Sequence, residues 1–242
     1  MALSVSIFLI SLSLLSYEIL LMRIFSIISW SHFAYMVISL ALLGFGASGT
    51  FLTFFREKIN KKFEFLFILF SLLYGIALFT CVWIIQLIPF SPFLIVWYKI
   101  QSLYLFLYYL ILSVPFFLGA SCIGMSFIRF DRKIPELYLF NMLGSGAGAL
   151  TAVLLMYIFF PTSILFLLTT LGFSAAVIFT SRMGKKYLLR VFLLCLVITS
   201  LFYFHPLHLE VSEYKGLSKS LNLPASRVLK KYTSPLGLIH VL

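Results

Sequence analysis

Glu18 is an acidic residue set inside an otherwise apolar stretch, between Tyr17 and Ile19. An ionised carboxylate in lipid is costly, so such a residue must face protein or water and find a partner. Two chemistries suit it: a structural polar clamp between helices, or a site for a substrate or a proton. Arg23 follows five positions later. Five residues place it about 140° away around a helix, so the two are not a same-face pair. Glu18 can instead meet a neighbouring helix while Arg23 reaches toward headgroups. Asn141, three residues before Gly144, is suited to an interhelical hydrogen bond. Glu18, Arg23 and Asn141 therefore form the candidate intramembrane polar site.

Small residues recur four apart in three blocks: Gly44 and Ser48, Ala120 and Gly124, Gly144 and Gly148. That spacing puts both members on one helix face and lets a second backbone approach closely. The run Gly144-Ser145-Gly146-Ala147-Gly148 superficially resembles a dinucleotide loop, but it lies inside an apolar helix and follows no strand, so it fails the context that loop needs. His205 and His208 lack a third ligand nearby, too little for a metal site. Cys81, Cys122 and Cys195 each lie in an apolar block with no CxxC spacing and read as buried free thiols. There is no HExxH, no Ser/His/Asp set, no Walker loop and no paired carboxylates in the polar part. Catalytic, cofactor and metal sites are all expected to be absent, which weighs against an enzyme.

The elements that must position these residues are membrane spans. Of 242 residues, 62% are hydrophobic and 10% charged, against about 45–50% and about 25% in soluble domains. The apolar residues come in blocks of roughly twenty, the length that crosses a bilayer. A soluble enzyme, a disordered chain and a disulfide scaffold are excluded. Seven spans are expected, near 3–27, 33–55, 65–88, 103–128, 137–160, 162–180 and 187–204. All must be helical, because an open strand in lipid leaves backbone groups unpaired. The first has no basic n-region or clear cleavage site and reads as a retained helix. The segment 91–101, with Trp97, Tyr98 and Lys99, reads as an interfacial helix; if it crossed, the spans would number eight.

The net charge of +11 does not point to nucleic acid. Its basic residues cluster in three loops: Arg56, Lys58, Lys61 and Lys62; Arg129, Arg132 and Lys133; Arg182, Lys185 and Lys186. Two spans separate each loop from the next, so all three share one side, the cytoplasm by the positive-inside rule. A prokaryotic inner membrane suits this pattern, with the N-terminus inside and the chain leaving the seventh span outside. The expected fold is all-α: a polytopic helix bundle over 1–204 and a short soluble α/β fragment over 205–242. In that tail a short helix is expected at Ser218–Leu221. Strands are expected over 226–232 and 238–242, joined by Ser234-Pro235-Leu236-Gly237. Gly46-Ala47-Ser48 with Phe54 and Arg56 matches Gly119-Ala120-Ser121 with Phe127 and Arg129 at equal spacing, a weak internal repeat of a kind found in transporters.

Three stretches together carry a family resemblance. The first is Ser16-Tyr17-Glu18-Ile19-Leu20-Leu21-Met22-Arg23-Ile24-Phe25-Ser26, with Ile38–Gly49 after it. The second is Leu137–Gly148, where Asn141 stands near the place of an expected Asp. The third is Ser212-Glu213-Tyr214-Lys215-Gly216-Leu217-Ser218 with Ser234-Pro235-Leu236-Gly237. The chain resembles the N-terminal membrane region of fused membrane/spermidine-synthase-like proteins, in which a multi-helix domain precedes an aminopropyltransferase-like Rossmann domain. The cofactor loop, ribose-binding acid and catalytic aspartate of that domain have no counterpart here. The resemblance thus implies a non-catalytic, multi-pass subunit that anchors a synthase-like or other soluble partner through its tail. A cytosolic synthase would conflict with an outside tail, and the loop charges favour the outside. The alternative is a small transporter for an amine or another small molecule, using Glu18, Arg23 and the glycine-rich helices.

Overall fold

The computed structural model describes residues 1–28, 31–91, 94, 95, 97–204, 230–234 and 237–241. Its long helices are α1 (Ala2–Ile28), α2 (Ser31–Phe54), α4 (Phe63–Gln86), α5 (Ile100–Arg129), α6 (Ile134–Ile158), α7 (Pro161–Thr180) and α8 (Lys185–Phe204). A short α3 (Arg56–Lys61) follows α2, and a 3₁₀ turn at Asp131–Lys133 leads into α6. Seven helices are long and apolar enough to cross a membrane, as in a multi-pass membrane protein. Pro135 and Pro161 open α6 and α7, where a missing N–H costs nothing. Gly184, at φ 111°, makes the turn between α7 and α8, a conformation that suits glycine.

Segment 91–101 differs from the interfacial helix expected there. Its described residues form short turns, with Leu94 N–H bonded to the Ser91 carbonyl and Tyr98 N–H to the Leu94 carbonyl. Helix α5 starts at Ile100, earlier than the apolar run suggests, because Gln101 turns inward and accepts from the Ser91 N–H at 3.0 Å. Helix α3 was not expected. It is charged along most of its length, and only Ile59 is buried.

Consecutive spans alternate in direction, so α1 and α6 run parallel, as do α2 and α5. These are the two most extensive helix pairings. Helix α1 packs next on α7, and α4 sits against both α5 and α7. Phe63 meets Phe130 at 5.4 Å and Phe179 at 5.9 Å. This brings the start of α4 and the ends of α5 and α7 together, so the three basic loops share one end of the bundle. The core between α1, α4 and α5 is aromatic: Tyr17, Tyr74 and Phe116 are fully buried, Tyr17 and Phe116 lie 5.6 Å apart, and Ser13 and Tyr74 share a hydrogen bond of 2.8 Å. Helix α8 is peripheral, with only Cys195 buried and a stacked Phe79–Phe202 pair at 4.4 Å.

In the tail, Lys230–Thr233 (β1) pairs antiparallel with Leu238–Val241 (β2), Lys230 opposite Val241. The expected helix at 218–221 lies outside the described residues, as do His205 and His208, so no α/β fragment beyond this hairpin is described.

Candidate functional site: a cleft beside Glu18

Helix α1 meets α6 through a ladder of serines. Ser4 Oγ donates to Glu136 Oε1 at 2.7 Å, Ser11 Oγ to Asn141 Oδ1 at 2.6 Å, and Ser16 Oγ to the Gly148 carbonyl at 2.8 Å. The partners ascend together on both helices, as parallel packing requires. Ser11 Oγ also lies 2.8 Å from the Ile7 carbonyl. A hydroxyl has one proton, so the two acceptors share it. Gly144 and Gly148 make the approach possible. A Cβ on Gly144 would strike the Phe8 carbonyl, and one on Gly148 the Leu12 carbonyl.

Helices α2 and α5 meet in the same manner. A Cβ on Gly44 would come within 2.6 Å of Phe116 Cβ and 2.7 Å of the Ser113 carbonyl. Ser48 and Ser121 share a buried hydrogen bond of 3.0 Å, and Gly124 lies under Leu52. Ser48 and Ser121 are also matched positions of the internal repeat, 73 residues apart. The two repeated motifs therefore face each other across the helix pair.

Between these pairs is a cleft of about 410 Å³, within the range of ligand pockets. Glu18 lies in it, together with Ser11, Leu14 and Leu15 of α1; Phe45, Ser48, Gly49 and Leu52 of α2; Ala120, Ile123, Gly124 and Phe127 of α5; and Asn141, Met142 and Ser145 of α6. Glu18 is half-buried. Among the described residues no side chain donates a hydrogen bond to it. Helix geometry puts Glu18 about 24 Å along α1 from Ala2, and Asn141 about 10 Å into α6. The slot thus runs from mid-bundle toward the basic end, with the carboxylate at its deep end and largely apolar walls.

The candidate polar residues divide. Glu18 and Asn141 line one cleft. Arg23 does not: its Nη1 donates to Ser26 Oγ at 3.4 Å and its Nη2 to the Ser234 carbonyl at 2.9 Å. It ties the hairpin turn to the far end of α1. Of the small residues, Ser48, Ala120 and Gly124 line the cleft, while Gly44, Gly144 and Gly148 sit at helix contacts. Ser11 was missed in the sequence. The signal was there: Ser4 and Ser11 are seven apart, two helical turns, on a helix that also carries Ser6, Ser13 and Ser16. Among the described residues no cluster of His, Cys, Asp or Glu could hold a metal. No protein-family model, curated protein or solved structure matches the chain.

Proposed function

We propose that this chain is a multi-pass membrane carrier that binds an amine cation in the cleft beside Glu18. One observation carries the reading: a carboxylate near the middle of a membrane-length helix opens into a ligand-sized cleft and meets no donor among the described residues. Such a group takes up a cation or a proton to offset the cost of its charge in lipid. An ammonium supplies both the charge and the hydrogen-bond donors. Asn141 and the Ser11 hydroxyl, at the wall of the same cleft, offer neutral polar contacts. Arg23 has no place in this version of the site. In the cell the basic loops face the cytoplasm, which puts the slot in the inner half of the bilayer, the N-terminus inside and the tail outside.

The test is uptake of a labelled primary amine by proteoliposomes. Loss of one charge-assisted contact costs about 1.5–3 kcal/mol, so Glu18→Gln should lower uptake by about tenfold or more, with partial retention in Glu18→Asp. Unchanged uptake in Glu18→Gln would overturn the reading.

A second reading is favoured by a separate contact, the Arg23–Ser234 hydrogen bond at 2.9 Å. A turn held on the bundle gives a soluble partner a fixed platform, in keeping with the resemblance to spermidine-synthase-like membrane proteins. Copurification decides it. An anchoring subunit retains a soluble partner that is lost in Arg23→Ala; a chain that purifies alone and monodisperse is not an anchor.

A further inference from the structure

The walls and the opening of the cleft say more about the ligand than the carboxylate does. Among the described residues the cleft holds one acidic side chain, Glu18, and no basic one. One carboxylate balances one positive charge. A polyamine would bring two or more further ammonium groups among walls that include Leu14, Phe45, Leu52 and Phe127, where no second carboxylate balances their charge. The cleft is also open sideways. Helices α2 and α6 form its two lips yet make almost no contact with each other. Gly46 and Gly49 on α2 and Gly146 on α6 have open space where a Cβ would stand, and Phe45, Gly49 and Met142 are exposed at the rim. In a bundle set in a bilayer, that side faces acyl chains rather than water.

Resting on the amine reading above, we infer that the ligand is a monocationic amphiphile, with its single ammonium head at Glu18 and its alkyl body passing between α2 and α6 into the lipid. A laterally open slot lets a head cross the apolar layer inside protein while the tail stays in hydrocarbon. A closed pocket for a water-soluble amine would need no such gap.

The experiment measures binding of dodecylamine, butylamine and spermidine to the full chain in phosphatidylcholine nanodiscs, with partitioning into empty nanodiscs subtracted. Dodecylamine is expected to bind saturably, at least about tenfold more tightly than butylamine because its chain concentrates it in the bilayer onto which the slot opens. Spermidine is expected not to displace it, and Glu18→Gln to abolish it. Gly46→Trp puts an indole into open space on α2 beside the cleft-lining Phe45 and Gly49; it should weaken dodecylamine about tenfold and leave butylamine unchanged, and Gly146→Trp, next to the cleft-lining Ser145, makes the same test from α6. Equal, Glu18-dependent binding of butylamine or spermidine would overturn the amphiphile inference and leave the amine reading standing. Dodecylamine binding untouched by both tryptophans would also overturn it. No Glu18-dependent binding of any amine would remove both.

Discussion

Ser11 and Asn141 join the floor of the cleft to one of its walls, and their bond is the local test of the arrangement. Hydrogen bonds between membrane helices average about 0.6 kcal/mol in double-mutant cycles. Ser11→Ala and Asn141→Leu should each destabilise the bundle slightly. Their effects should fall short of additive by about that amount in a detergent-unfolding cycle; strict additivity would mean that the bond contributes nothing. At this scale the sequence was partly readable. Glu18 and Asn141 stood out because a charge or an amide in an apolar block is expensive. Arg23 stood out for the same reason, yet it serves the hairpin, because its partner is a backbone carbonyl 211 residues away that no spacing rule could reveal. Ser11 hid because serine is unremarkable in an apolar helix until its neighbour is known.

The helix pairs are set by glycine, and the glycines are not equivalent. Gly148 abuts the Leu12 carbonyl, whereas Gly146, two residues earlier, meets nothing within 4 Å. Gly148→Leu should therefore cost about 1–3 kcal/mol through overpacking against backbone, while Gly146→Leu should leave thermal stability unchanged. Melting curves of the two variants in one detergent check this; equal losses would refute the close α1–α6 approach. The spacing Gly144/Gly148 marked a contact face in the sequence, but not its partner. Nothing local distinguishes α1 from any other apolar neighbour. The spans themselves were legible from hydropathy alone. Helix α3 was not, since six mostly charged residues show no apolar period and only Ile59 anchors them.

For the molecule as a whole, the slot lies between the two parallel pairs α1–α6 and α2–α5, and the basic loops gather at the end toward which the slot runs. The three native cysteines are buried, so an introduced thiol reports its own side of the membrane. Lys61→Cys and Arg182→Cys should react with a membrane-impermeant maleimide from one face of the cell, and Gly237→Cys from the other. Labelling of Lys61→Cys and Arg182→Cys from opposite faces would contradict the span count. Loop charge predicts this sidedness, whereas the slot is a property of helix packing that no single helix encodes. Amine binding requires above all that Glu18 be open to ligand within the membrane. Treating the intact protein in nanodiscs with a hydrophobic carbodiimide and mapping the adducts by peptide mass spectrometry tests this directly. An adduct on Glu18 that dodecylamine suppresses is expected; an unmodified Glu18, or an adduct that no amine diminishes, would refute an amine site there.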